Sequence, residues 1–372
     1  MKRLDALVLK ELIGPWIFGV SMFTMLLIAA TYLGRIARFV VEGVSPSIIL
    51  KVTILLLPAI LVKTFAMALL LGALLAFGRL SGDSEITAIR AAGVSLYRIV
   101  APVSIFSLLV AMLAFYMNEQ VVPAAARESG AIMTQIAKNG QQQGSQPIKH
   151  IEVQNGHVVA MFGARNFNLI THTLDGVHVV AYDRDGRETW IMLVKQMQFD
   201  YGDLRHWRII GGGDLLSLPD GRVHLKLEGD AWPEQIPTIA STPDELFADQ
   251  NLDMDVFSME EIQERIRKGK ETGNLTPDQI RNYEFGYWNK IALPLAAFIF
   301  GTLGAALGIR NHRTGAATGF AVAVIIIFTY FTVANFMSVY SAGGLIPPYV
   351  ASFTPIAIGL IASGVIIWRR NR

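Results

Sequence analysis

Six long apolar runs set the limits on what this chain can fold into. They occupy roughly 12–34, 48–78 and 99–118, and then 288–309, 315–338 and 349–368. A helix of about 20 apolar residues can cross a bilayer because it satisfies its backbone N–H and C=O groups internally. The runs therefore predict three transmembrane helices, a polar insert and three further helices. Of the 372 residues, 17% are charged, against about 25% in an ordinary soluble domain. The first run is longer than the roughly 7–15-residue core of a signal peptide and is read as a retained helix.

Charge placement predicts the orientation. Cations cluster at Lys2, Arg3 and Lys10, at Arg79, Arg90 and Arg98, at Arg310 and Arg313, and at Arg369, Arg370 and Arg372. If the helices alternate, all four groups fall on one side, and the loop 339–348 on the other side has no charge. Cationic loops face the cytoplasm, so both termini are expected there and the insert outside, in the periplasm of a bacterium with two membranes. Arg35, Arg38 and Lys51 break the rule at the outer end of helices 1 and 2, opposed in the sequence only by Glu42. The net charge of +2 gives no general attraction for polyanions. The absence of cysteine excludes disulfides, thiolate metal sites and cysteine lipidation.

Within the insert the period changes to two. Val223, Leu225 and Leu227 alternate with polar residues, as do Met197, Phe199 and Tyr201; Val177–Tyr182 and Thr189–Val194 are further strand candidates. Turns are expected at Asn155-Gly156, Asp185-Gly186, Gly202-Asp203, Gly211-Gly212-Gly213 and Pro219-Asp220-Gly221. Short strands so punctuated indicate an antiparallel sandwich or open barrel. Capping signals begin at Thr242, Ser258 and Thr276, the second opening a charged helix that ends near Gly273 and the third leading into helix 4. Segment 124–149 reads as a helical extension of helix 3. Six scattered histidines in this region show no helical metal-site spacing. Asp183-Arg184-Asp185-Gly186 lacks the later ligands of a calcium loop and reads as a hairpin turn.

Between helices 2 and 3, residues 84–92 favour a short helix ended by Gly93, with Asp83 and Glu85 at its amino end and Ile86, Ile89 and Arg90 on neighbouring positions. So short a helix is marginal alone. Two surfaces could hold it: the membrane, or a cleft in a cytoplasmic partner. Its acidic start favours the partner, because anionic headgroups repel it. Gly-x-x-x-x-Gly-Lys-Ser/Thr is absent from the sequence, so nucleotide chemistry of the P-loop kind would belong to another subunit.

Arg35 and Arg38 lie three apart on one helix face, an arrangement suited to phosphate or carboxylate; snorkelling to headgroups is the alternative. Lys63 lies deep in helix 2, where a charge costs about 2.5–3.5 kcal/mol on insertion scales. It faces either a cavity or a displaced membrane boundary. Pro58, Pro294 and Pro355 interrupt helices. Gly301, Gly304 and Gly308, with Ala305 and Ala306, form a small-residue face that suits close helix packing.

The order of parts resembles the LptF/LptG permease family of the lipopolysaccharide transport ABC exporter. The similarity lies in Leu71-Gly72-Ala73-Leu74-Leu75, Ser84-Glu85-Ile86 followed by Ala92-Gly93, Trp288-Asn289-Lys290-Ile291 with Pro294-Leu295, and Gly344-Leu345-Ile346-Pro347-Pro348. It spans essentially the whole chain. The resemblance implies a membrane α-helical fold of six transmembrane helices, 3+3, with an inserted periplasmic all-β jellyroll-like domain. The boundaries are 1–123 for helices 1–3, with a coupling helix at about 83–93, then 124–285 for the insert and 286–372 for helices 4–6.

It further implies a second permease of the same family, a cytoplasmic ABC ATPase dimer, a single-helix periplasmic jellyroll partner and a periplasmic bridge protein. The chain would bind no cofactor itself, the ATP being used by the partner. The family's coupling helix, which meets the ATPase, maps to about 83–93, with Glu85 its key acidic contact and Asp83, Ile86, Ile89 and Arg90 beside it; Arg35 and Arg38 match the place of the basic residues that hold lipopolysaccharide phosphates. Lys51 is added to this substrate set from its place on the outer side, and Lys63 from membrane energetics alone. Each methylene left in water costs about 0.8 kcal/mol, so a lipid cargo needs an apolar cavity, a cationic rim and a covered route. Two other readings compete. One is an ABC subunit that transmits ATP-driven motion to periplasmic partners without conducting lipid. The other is a secondary transporter, disfavoured because the two halves show no internal repeat.

Overall fold

The structure is a computed structural model. It describes residues 2–41, 43–138, 148–168, 173–200, 206–218, 223–227, 229, 232–237, 254–273, 275–309 and 316–371. Its helices are α1 (Lys2–Val41), α2 (Pro46–Gly82), α3 (Glu85–Ala91), α4 (Leu96–Tyr116), α5 (Val122–Lys138), α6 (Met259–Thr272), α7 (Pro277–Gly308), α8 (Ala316–Ala342) and α9 (Pro348–Asn371). A π-helical turn, Met117–Val121, joins α4 to α5, and a 3₁₀ turn, Met254–Val256, precedes α6.

Six helical stretches are long and apolar enough to cross a membrane: those in α1, α2, α4 with its extension, α7, α8 and α9. The strands lie between the third and fourth of them in chain order. α2 has 37 residues, about 55 Å at 1.5 Å per residue, against a hydrocarbon core of about 30 Å. It is therefore longer than the hydrocarbon core is thick.

α2 and α7 form the centre of the helical body. α1 and α4 pack beside them, while α8 and α1 are the least enclosed of the six. Small residues explain the tight central contact. A Cβ added at Gly304 would lie 2.7 Å from the Leu70 carbonyl oxygen and 2.9 Å from the Ala73 Cβ, so α7 meets α2 almost backbone to backbone. Phe77, Phe300 and the run Leu69–Leu71 fill the space around that seam. The small-residue face read from the sequence is thus a packing face.

The strands are β1 (Ile148–Gln154), β2 (His157–Ala164), β3 (Asn166–Asn168), β4 (Thr173–Tyr182), β5 (Glu188–Asp200), β6 (His206–Ser217) and β7 (His224–Leu227). They form one antiparallel sheet in the order β1-β2-β4-β5-β6-β7. β3 continues β2 past Arg165, pairing with β4 in the same register. One face is packed: Phe162, Val179, Met192, Met197, Trp207 and Leu215 are buried, with Ile236 laid over them. Among the described residues no helix packs broadly on the sheet.

Two sequence expectations change here. Thr189–Val194 and Met197–Tyr201 looked like separate strands; the first and most of the second form β5, a single strand of 13 residues. The register shifts between Val194 and Gln196. Inward residues are therefore even-numbered before the bulge (Met192, Val194) and odd-numbered after it (Met197, Phe199). A bulge of this kind breaks the period without ending the strand. Opposite it, Gly211-Gly212-Gly213 is not a turn but the interior of β6, with Gly211 and Gly212 at φ +76° and +70°.

Other expectations hold. Asn155-Gly156 and Asp185-Gly186 turn the chain, and the Asp183 carboxylate accepts the N–H groups of Asp185 and Arg187 at 2.9 and 2.8 Å, as in a hairpin turn. Ser258 and Thr276 each form a full capping box. The expected turns at Gly202-Asp203 and Pro219–Gly221, and the cap at Thr242, lie outside the described residues.

Candidate functional site

Both termini and α3 share one end of the helical body. The Arg98 guanidinium donates to both Asp5 carboxylate oxygens at 2.6 and 2.8 Å, tying the start of α4 to the start of α1. Arg79 donates to Glu11 at 3.0 Å. Arg90 of α3 donates to the Arg370 carbonyl at 3.2 Å, and Arg370 in turn donates to the Ala306 carbonyl of α7 at 2.9 Å. A chain of contacts therefore leads from α3 through the end of α9 to the central helix.

The surface that α3 needs is supplied by the chain itself. Ile86 is 2% exposed and joins a core with Leu12, Phe77, Leu80, Leu96 and Ile99. Ile89 packs at the edge of that core. Asp83 and Glu85 remain exposed, Asp83 3.8 Å from Arg79. The chain enters α3 through Ser84 at φ +64°, a left-handed conformation unusual for a serine. α3 is thus a short helix held by one apolar anchor, presenting its acidic start outward.

The opposite end carries the sheet. Arg35 and Arg38 lie in the last turns of α1; their side chains, and Glu42 altogether, lie outside what the structure describes. Lys51, near the start of α2, meets Glu128 of α5 at 2.7 Å, both side chains more than half exposed. In the sequence only Glu42 stands near this cluster; Glu128 is remote along the chain and is brought to it by α5. An exposed pair of this kind contributes about 0–1 kcal/mol. Lys63 is half-buried in α2, beside Thr64, whose hydroxyl lies 3.3 Å from that of Thr24 on α1. It stands 12 residues from Lys51 and 16 from Arg79, about 18 and 24 Å along the helix. That is deep within the span.

A further constellation was not anticipated. Lys290 is 3% exposed, and its ammonium donates to the Asn118 carbonyl at 2.8 Å and to the Asn118 side-chain oxygen at 3.2 Å. Asn118 lies in the π-helical turn, where an inserted residue disturbs the regular hydrogen-bond ladder. The next residue, Glu119, accepts the Met259 N–H at the start of α6 with both oxygens, at 3.0 and 3.2 Å. Arg127 of α5 donates to Glu261 of α6 at 2.6 Å. Close by in sequence, the Trp288 ring lies 6.5 Å from that of Tyr349 and 6.2 Å from that of Phe353, residue types common in an interfacial aromatic belt. Lys290 lies where the apolar part of α7 begins, and the charge argument applied to Lys63 applies to it too.

These features can be set beside known proteins. A family model described as "Lipopolysaccharide export system permease LptF/LptG" matches residues 6–369. That span takes in every long helix and the whole sheet. The chain belongs to the LptF/LptG permease family. The lipopolysaccharide export system permease protein LptG of Escherichia coli K12 is 26% identical over 389 aligned positions, covering 98% of this chain and 99% of that protein. LptG of Escherichia coli O6:H1 matches to the same extent. Membership of this family and six apolar helices make the chain a multi-pass membrane permease of a lipopolysaccharide export system.

Proposed function

We propose that this chain takes lipopolysaccharide from the outer leaflet of a bacterial inner membrane and passes it, through its sheet domain, towards a periplasmic bridge. The observation that carries the reading is the match of an LptF/LptG permease model to residues 6–369, joined to a cationic cluster at the end of α1 and α2 nearest the sheet. In this scheme the termini and α3 are cytoplasmic and the sheet is a periplasmic jellyroll-like module. A second permease of the family covers the least enclosed faces, those of α1 and α8. A separate ABC ATPase dimer supplies the work, and a single-helix jellyroll subunit completes the assembly.

Arg35 and Arg38 bind lipid A phosphates as paired guanidinium forks. Lys51 supports them from the α2 side, exchanging Glu128 for phosphate, and Lys63 contributes positive potential lower in the cavity. Asp83 and Glu85 meet the ATPase, with Arg90 beside them; Ile86 and Ile89 hold α3 on the body so that a push on it moves α2 and α4.

One observation favours the mechanotransmitting alternative: Lys51 is already neutralised by Glu128 at 2.7 Å, which weakens the rim that a lipid conductor needs. Charge reversal decides. In the complex purified from native membranes, Arg35→Glu with Arg38→Glu lowers bound lipopolysaccharide at least fivefold while the subunits still co-purify. Unchanged lipid capture by that variant rejects the phosphate site and supports motion transfer alone.

A further inference from the structure

α6 is an odd helix for a membrane protein. Its sequence, MEEIQERIRKGKET, is almost wholly polar, and Ile262 and Gly269 are its buried residues. A helix of 14 residues with so little apolar surface is marginal by itself. Its order comes from its ends and from its packing on α7. At the amino end Ser258 and Glu261 complete a capping box, Glu119 accepts the Met259 N–H, and Arg127 grips Glu261. Midway, Arg265 lies 4.1 Å from the centre of the Phe257 ring. At the carboxyl end the Gly273 carbonyl accepts the Gly156 N–H at 2.9 Å, and Gly273 sits at φ +66° against the Asn155 backbone. Lys270 reaches Glu284 of α7 at 3.0 Å.

The amino end holds the π-helical turn of the third membrane span. The carboxyl end lies against α7, where Lys270 meets Glu284, and also holds the β1–β2 turn of the sheet. The rod between them is about 21 Å long. Because no helix packs broadly on the sheet among the described residues, α6, seated on α7, is a direct mechanical path from the helical body to the sheet. The π-helical turn is bound on both sides, since its Asn118 carbonyl takes Lys290 of α7 and its Glu119 takes α6. A change in the angle between α4 and α7 must move Glu119, and with it the amino end of the rod.

We propose that α6 is a push-rod that converts rearrangement of the third and fourth membrane spans into displacement of the β1–β2 edge of the sheet, with Glu119 as its positioning residue at the pivot. The inference rests on the export reading only for what the displacement accomplishes. In an exporter it would align the sheet for hand-over of cargo during each ATP cycle.

The natural chain has no cysteine, so a single pair of spin labels can be placed cleanly at exposed Ser47 in α2 and exposed Arg184 in the β4–β5 turn. Distances are read by pulsed electron paramagnetic resonance on the complex purified from native membranes, with and without ATP. The expected result is an ATP-dependent shift of the distance distribution that is retained in Glu119→Gln, which keeps an acceptor oxygen, and lost in Glu119→Ala. Should Glu119→Ala fail to assemble, Gln263→Gly with Arg267→Gly softens the exposed face of α6 without removing any contact named above, and should abolish the shift. ATP hydrolysis stays within twofold throughout, while lipid release to an acceptor falls at least tenfold in the uncoupled variants. A shift that survives both Glu119→Ala and the softened rod, or no shift in the parent, overturns the push-rod. A parent that shows the Glu119-dependent shift but releases no lipopolysaccharide overturns the export reading and leaves the push-rod standing.

Discussion

At the scale of single residues, the decisive features are charges placed where charge is costly. Lys290 is tolerable inside because a carbonyl and a side-chain amide of one residue, Asn118, receive it. Replacing it with methionine keeps much of the volume but strips the Asn118 carbonyl of that donor. A buried acceptor so deprived costs about 1–3 kcal/mol, so Lys290→Met should lower the thermal midpoint of the detergent-solubilised complex, and an unchanged midpoint would show the contact to be dispensable. Glu261 carries a pH signature. Burial raises its pKa, but the Ser258 N–H and Arg127 outweigh that and hold it below the ordinary 4.5. A depressed folded value means the contribution to stability is present above the unfolded pKa and is lost as pH falls through the folded one. The thermal midpoint should therefore drop on acidification below about pH 4.5, and the drop should be smaller in Glu261→Gln.

At the scale of elements, much of the fold was legible, and the failures share a cause. Length and hydropathy located all six spans; capping boxes located α6 and α7; the small-residue face of α7 announced its packing. The sequence pattern splits β5 in two because a bulge at Lys195 flips the inward parity, and a period-two pattern does not extend past such a flip. The glycines of β6 looked like a turn for the complementary reason: they accommodate the same irregularity from the neighbouring strand. The site was less legible. Lys51–Glu128, Lys290–Asn118 and Glu119–Met259 join residues more than 70 positions apart, which no local pattern reveals. For α3, the sequence showed that a surface was needed but not that the chain provides it. With Ile86 turned inward, Asp83 and Glu85 are left exposed at the start of α3. Glu85→Lys should cut ATPase co-purification or ATP-driven export at least tenfold while leaving the chain folded; full retention of both would place the coupling contact elsewhere.

At the scale of the whole molecule, the architecture has two working ends joined by rigid parts. α3 and both termini form one end; the arginines of α1 and the sheet belong to the other. α2 runs the full distance, carrying Arg79 near one end and Lys51 near the other. α6 extends the mechanical path to the sheet. The proposed lipid cargo would require such a covered route, since one long acyl chain exposed to water costs about 10 kcal/mol. The central claim is that a phosphorylated glycolipid passes the arginine pair at the mouth of the helical body. The most direct measurement places a photoactivatable residue at position 35 or 38 in the native membrane and identifies what it captures. Lipopolysaccharide, captured in an ATP-dependent amount, is the result the account predicts; phospholipid alone, in an amount indifferent to ATP, would contradict it.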